Sequence, residues 1–293
     1  MGKGIILYNG MLVKQNEVKL TLENRGFRYG DGLFETMRMF DGKMPFLELH
    51  LERLNAGIEM LQLELPTAEY GLDYWHYEIR RIVKYYRQKY PKQAKNYRMR
   101  LTVFRNDGGF YTPLTNEASY VLEIERLKKN RFEWNKKGLV IDVFTKVKLE
   151  CGRLSNMKTA NGLPYILAAL FKQKEGLDDV LLLNTKGRIA ESTHANIFFI
   201  KGNTLITPAL NEGCTAGTTR KAVLAIGKEL GMKVKIKRCE ISILKEADEV
   251  FLTNSIRGVQ WIRKFHKKRY TAEKAKIIYL KMNELVGKSM IEF

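Results

Sequence analysis

Apolar runs of strand length recur from one end of this 293-residue sequence to the other, separated by glycine-bearing turns and amphipathic helical stretches. Such a chain buries its apolar residues by layering helices on sheet, which makes it a mixed α and β protein. GIILYNGMLVKQNEVKL reads as a hairpin around Asn9-Gly10, the dipeptide that best tolerates the positive φ of a tight turn. A second pair of strands is expected to turn at Asp41-Gly42. MPFLELHLERLNAGIEML places Phe46, Leu49, Leu54 and Ile58 at near-helical spacing, and LDYWHYEIRRIVKYYRQKY continues as a long amphipathic helix. NYRMRLTVFR and ASYVLEIERL read as strands, so residues 1–126 form a small α+β domain.

The polar, charged segment LKKNRFEWNKK, 127–137, suits a surface connection between domains. Beyond it, in 138–293, GLVIDVFT, DDVLLLNT, HANIFFIKG, KVKIKRCE and EVFLTNS are strand-like, with helices expected over 162–175, 219–230 and 272–286. This is a larger α/β domain, and a hydrophobic content of 45% is enough to give both domains a core.

The net charge of +19 could serve nucleic acid, a membrane or an anionic ligand. The positives, however, are scattered over 80–100, 128–137, 233–238 and 263–276, acidic residues interrupt them, and no nucleic-acid-binding motif accompanies them. A solvated basic surface is the reading, with no nucleic acid and no membrane as partner. No apolar run is long enough for a membrane span, and MGKGIILYNG is too short and interrupted for a secretory signal, so a cytoplasmic protein is expected. Cys151, Cys214 and Cys239 lie far apart with no zinc or disulfide spacing, and His50, His76, His194 and His266 share no ligand spacing, so no metal is expected.

Three places carry candidate chemistry. SNMKTANGLPYILAA sets Lys158 between the polar residues Asn156, Asn161 and Gly162 and an apolar helix pattern. Such a lysine either snorkels a solvated head or keeps a desolvated amine for chemistry. In RIAESTHANIFF, Glu191 precedes a strand expected to begin near Ala195; it is either a turn carboxylate or a partly desolvated one awaiting a cation. In GCTAGTTRKAVLAIGKEL, Gly213 and Gly217 lead into Thr218, Thr219 and a helix. The spacing is not that of a Walker A loop, which leaves a helix cap or an anion site.

Together the three fit one ligand, since a lysine amine, a carboxylate for a ring nitrogen and a phosphate-binding helix start are what pyridoxal phosphate asks of a protein. RYGDGLFETMRMFDGK, HLERL, SNMKTANGLPYILA, DDVLLLNTKGRIAESTHANIFF, AGTTR and DEVFLTNSIRGV occur in the order found in the class-IV aminotransferases, the fold-type-IV pyridoxal-phosphate enzymes, and the chain resembles that family over nearly its whole length. The family includes branched-chain and D-amino acid aminotransferases and 4-amino-4-deoxychorismate lyases. The resemblance implies a two-domain D-amino acid aminotransferase-like fold, pyridoxal 5′-phosphate as cofactor and a homodimer. It implies that Lys158 is the Schiff-base and proton-shuttling lysine and that Glu191 keeps the pyridine nitrogen protonated. Arg53, in HLERL, matches the arginine that grips the phosphate; Thr218, Thr219 and Ser255 match further phosphate donors. Asn196, in the family's S-x-x-x-N-[IV]-F pattern, supports Glu191. Phe34, in GDGLFET, falls among the substrate-binding positions.

The resemblance implies transamination between an amino acid and a 2-oxo acid, with aminodeoxychorismate lysis as the alternative. A reading of another class is a non-catalytic cofactor-holding or basic surface-binding protein. Branched-chain enzymes typically carry FEG and a tyrosine five residues after the lysine, where this chain has Thr36 and Leu163. The arginine-histidine pair of the D-amino acid enzymes is absent from NDGGFYTP, while GDGLFET, RLTVFRNDGG and LTNSIRG are similar to lyase sequences. Strand alternation puts Arg98 and Arg100 on one face and Tyr97 and Met99 on the other. Arg100 is either a substrate-carboxylate ligand or an outward charge on an edge strand.

Overall fold

The computed structural model describes residues 4–67, 70–91, 95–289 and 291–293. The chain divides into two compact units. The first comprises Met1–Asn130, Met157–Asn161 and Lys288–Phe293, and the second Arg131–Asn156 and Gly162–Gly287.

In the first unit, β1 (Ile5–Tyr8) and β2 (Met11–Lys14) form the expected hairpin, with Asn9 at φ 45° and Gly10 at φ 78°. A short helix α1 (Arg25–Tyr29) precedes β3 (Gly32–Met39), followed by α2 (Leu47–Met60), α3 (Leu72–Lys89), β4 (Tyr97–Arg105) and β5 (Ala118–Arg126). The strands make one antiparallel sheet in the order β2-β1-β5-β4-β3. Tyr97, Met99, Leu101 and Val103 of β4 and Leu33, Met37 and Met39 of β3 share the core with Leu51, Leu54 and Ile58 of α2 and Trp75, Ile79 and Ile82 of α3. Burying each such side chain contributes roughly 1.5–3 kcal/mol.

Three sequence expectations change here. The buried stripe of α2 is Leu47, Leu51, Leu54 and Ile58, while Phe46 sits before the helix at φ 66°. After the Asp41-Gly42 turn only Phe40 and Lys43 pair, because Pro45 lacks a donor and Phe46 then turns the chain into α2. Helix α1 was not anticipated; its five residues are too few to show a period, and it is defined by its ends, where the Asn24 side chain accepts from Phe27 N and Gly30 sits at φ 65°.

The division is also discontinuous where the sequence suggested a single connection at 127–137. Residues 157–161 run antiparallel beside β3, with Phe34 N donating to Lys158 O at 2.8 Å and Ala160 N to Gly32 O at 2.9 Å. At the other end Met44 N donates to Ile291 O and Phe293 N to Gly42 O.

The second unit holds β6 (Leu139–Leu149), α4 (Leu163–Lys174), β7 (Asp179–Asn184), β8 (Ile189–Ser192), β9 (Asn196–Lys201), β10 (Thr204–Pro208), α5 (Thr218–Glu229), β11 (Lys233–Lys237), α6 (Ile243–Glu246), β12 (Glu249–Asn254), β13 (Gly258–Phe265), β14 (Lys268–Arg269) and α7 (Glu273–Gly287). Its mixed sheet has the order β11-β10-β9-β12-β13-β6-β7-β8, with β14 on β13. The pairs β6/β7, β6/β13 and β10/β11 are parallel. Leu181, Leu183, Ile197, Phe199, Val250 and Leu252 fill one core. The edge strand β11 exposes Lys233, Lys235 and Lys237, charges that block edge-to-edge pairing and account for part of the basic surface. No helix among the described residues is long and apolar enough to cross a membrane.

Candidate active site

In the first unit, strand β3 organises the candidate residues. Its alternation sends Leu33, Glu35, Met37 and Met39 toward the core, so a carboxylate takes an apolar position. Glu35 is 1% exposed. It is met from α2 by Arg53, whose Nε donates to Oε1 at 2.7 Å and whose Nη2 donates to Oε2 at 2.6 Å. His50 Nδ1 lies 2.6 Å from the same Oε2. Burial pushes Glu35 up, but the Arg53 guanidinium and His50 outweigh it and hold the carboxyl at about 2. Burial lowers His50 against the pull of Glu35, so we read it as a neutral ring donating its Nδ1 hydrogen.

Phe34 lies on the opposite face of β3. The Arg100 guanidinium carbon sits 3.9 Å from its ring centroid and Lys158 Nζ 4.6 Å from it. Arg100 thus leaves the core face as its strand parity requires, and burial lowers it despite Glu123. The backbone of Lys158 is fixed by the bond from Phe34 N, independently of its side chain.

In the second unit the candidate residues centre on Glu191, 3% exposed. Glu191 precedes β9, which begins at Asn196 as expected, and itself lies within a further short strand, β8, opposite Leu182 of β7. Four residues between tight turns are too few for the alternation to stand out, so β8 was missed. Oε1 accepts from Tyr165 Oη at 2.7 Å and Thr215 Oγ1 at 3.0 Å; Oε2 accepts from Thr215 N at 3.0 Å and Asn196 Nδ2 at 3.3 Å. Asn156 holds this loop, donating to Leu210 O and Cys214 O and accepting from Ala216 N. Thr218 and Thr219 are buried at the start of α5, with Gly217 at its N-cap and no side chain capping it. That combination of backbone donors and helix dipole favours an anion. Ser255 follows β12, in a turn where Asn254 Oδ1 accepts from Ile256 N and Arg257 N.

The first unit therefore gathers Phe34, Arg53, Arg100 and Lys158, and the second Glu191, Asn196, Thr218, Thr219 and Ser255. Tyr165, Thr215, Glu35 and His50 were not singled out in the sequence. A signal existed for Glu35, a charge on the apolar parity of LFETM, and for His50 and Arg53 three residues apart on α2. Among the described residues no group of three or more His, Cys, Asp or Glu could hold a metal. A lysine amine in the first unit, and a buried carboxylate and an anion-favouring helix start in the second, are the residue types that a phosphorylated pyridine aldehyde calls for.

Gly217 is required by packing: a Cβ there would lie 1.9 Å from Asn196 Oδ1. Gly217→Ala is expected to displace Asn196, lower stability by about 1–3 kcal/mol and weaken phosphate affinity, as read by urea unfolding and by titration with inorganic phosphate.

The sequence profile described as amino-transferase class IV matches residues 32–265. The aminodeoxychorismate lyase of Bacillus subtilis (strain 168) is 26% identical over 274 residues, which cover 92% of this chain and 89% of the lyase. The D-alanine aminotransferase of Listeria monocytogenes serotype 4b (strain F2365) is 26% identical over 255 residues, covering 85% of this chain and 83% of that protein. The crystal structure of a branched-chain aminotransferase from Thermoproteus uzoniensis superposes with a TM-score of 0.84 at 22% identity, covering 98% of this chain and 96% of that one. With a match across most of its length, the chain belongs to the amino-transferase class IV family.

Proposed function

We propose that this chain transfers an amino group between an amino acid and a 2-oxo acid. As a class IV member it is an enzyme that uses pyridoxal phosphate. The observation that carries the reading is Glu191, a buried carboxylate fixed at both oxygens by neutral donors, as an ion pair to a pyridine nitrogen requires.

Pyridoxal phosphate supplies an aldehyde carbon and an electron-accepting ring beside which an amino acid's α-proton becomes acidic. Lys158 would hold that aldehyde, and its amine would move the proton between the substrate α-carbon and the cofactor's C4′. Glu191 keeps the proton on the ring nitrogen, and Asn196 holds Glu191. Arg53, its fork oriented by Glu35, grips the phosphate; Thr218, Thr219 and Ser255 add donors. Arg100, buried enough to disfavour its charge, binds the substrate carboxylate beside Phe34.

One alternative has specific support. Aminodeoxychorismate lysis is favoured by the likeness to the Bacillus subtilis lyase and by GDGLFET, RLTVFRNDGG and LTNSIRG. The two reactions separate on the loaded protein. Adding single amino acids converts the cofactor to its amine form if the chain is a transaminase. Aminodeoxychorismate releases pyruvate with no net conversion if it is a lyase, and silence with both overturns the two readings.

We also propose a cytoplasmic homodimer. In the first unit Phe110, Tyr111 and Leu114 are 82%, 90% and 81% exposed, yet their loop is tied down, with Arg25 donating to Gly108, Phe110 and Tyr111 carbonyls. A built loop that presents three large apolar side chains fits burial against a second copy.

A further inference from the structure

Tyr165 enters from the first turn of α4, and its hydroxyl donates to Glu191 Oε1 at 2.7 Å. Thr215, through both its N–H and its hydroxyl, and Asn196 also donate to Glu191. Thr215 and Asn196 are themselves tied together, Asn196 Nδ2 donating to Thr215 O at 2.8 Å, so they form one brace. Tyr165 reaches Glu191 from a different element, α4, with the Thr215 side chain hydrogen-bonded to its hydroxyl, and it brings the phenolic O–H among these donors. Burial, then the charge of Glu191, pushes the phenol up, so it donates at every working pH. A hydrogen bond to the charged form of a carboxylate lowers its basicity, and an ionised carboxylate offers about four lone-pair directions.

We propose that Tyr165 is a positioning residue that sets the basicity of Glu191, and with it the share of the proton that Glu191 leaves on the ring nitrogen of the cofactor. This rests on the assignment of Glu191 to that nitrogen. With Tyr165 donating, Glu191 is a weaker base, the proton stays on the ring, and the ring remains electron-poor. Without it, Glu191 draws the proton toward itself, the ring withdraws less, and the nitrogen joining Lys158 to the cofactor becomes more basic.

The test uses the loaded, full-length protein in three forms: wild type, Tyr165→Phe, and 3-fluorotyrosine incorporated at position 165. The pH midpoint of the absorbance band of cofactor bound at Lys158 is measured, together with cofactor affinity. Tyr165→Phe is expected to move the midpoint up by about one pH unit and to weaken affinity on the order of tenfold. Fluorotyrosine, a stronger donor of nearly the same shape, is expected to move the midpoint down, and it decides the matter if Tyr165→Phe does not fold. Midpoints equal to wild type in the folded forms, whatever happens to the melting temperature, overturn the proposal and leave Tyr165 a packing residue. A wild-type chain with no cofactor band and no borohydride adduct at Lys158 overturns the parent assignment, and the inference with it.

Discussion

Replacing Lys158 with alanine is expected to cut turnover by at least about 10³-fold while leaving the melting temperature close to wild type. The two halves of this expectation have different sources. The main chain at Lys158 is held by hydrogen bonding to β3, from Phe34 N to Lys158 O and, two residues on, from Ala160 N to Gly32 O. Those bonds do not depend on the side chain. The amine, by contrast, has two possible uses: condensation with the cofactor aldehyde, or a cation resting 4.6 Å from the Phe34 ring centroid. Lys158→Arg separates them. A guanidinium keeps the charge and stacks on an aromatic ring at least as well as an ammonium, but it forms no imine and, staying protonated, cannot accept a proton near neutral pH. If condensation is the role, Lys158→Arg is as inactive as Lys158→Ala, and borohydride trapping followed by mass spectrometry finds an adduct at Lys158 in the wild type alone. If Arg restores more than about a tenth of wild-type turnover, Lys158 is a structural cation and the proposed mechanism fails.

The sequence was most legible where one local rule was enough. Asn9-Gly10 turns as its dihedral preference requires, and β4 splits Tyr97 and Met99 from Arg98 and Arg100 by simple alternation. Helices α4, α5 and α7 begin and end within a residue or so of their expected limits, because their apolar periods are long. What could not be read arose from partners distant in the chain. The apolar parity of β3 marks Glu35 as anomalous, but only folding reveals that Arg53 and His50 answer it from α2. Tyr165 looks like any aromatic in LPYILAAL until β8 brings Glu191 to its hydroxyl, and β8 is itself too short to be seen. Strand β10 ends in proline, and β13 carries Gln260, Arg263 and Lys264 in an interrupted, bulged alternation, so neither stood out. Lys158 illustrates both cases. Its flanking polar residues marked it as unusual, whereas its pairing with β3 is a contact spanning more than a hundred residues.

Glu35→Gln is expected to destabilise the protein by about 3–5 kcal/mol at neutral pH, the cost of leaving one partner of a buried ion pair without its counter-charge. The carboxylate is 1% exposed and receives both arms of the Arg53 fork plus His50. Linkage gives a second, independent signature. Glu35 is held at about 2 in the folded chain against an ordinary value of 4.5, so folding favours its ionised form. The stabilisation is fully present above pH 4.5 and is lost as pH falls toward 2; by size of shift it amounts to about 3 kcal/mol. Urea midpoints measured across that window should fall steeply with acid in the wild type and more gently in Glu35→Gln. The same acid limb for both proteins would mean that the pair contributes no differential proton affinity and that Arg53 is anchored by something else. Glu35→Met combined with Arg53→Met completes the argument. Removing both charges together abolishes the desolvation cost as well as the attraction, so the double variant should recover much of the stability lost by Glu35→Gln alone. It should nevertheless bind cofactor phosphate poorly, because the guanidinium that Glu35 orients is gone. Stability regained without phosphate affinity would locate the function of this buried pair in holding Arg53 ready for an anion, and stability regained with affinity intact would remove Arg53 from the phosphate site.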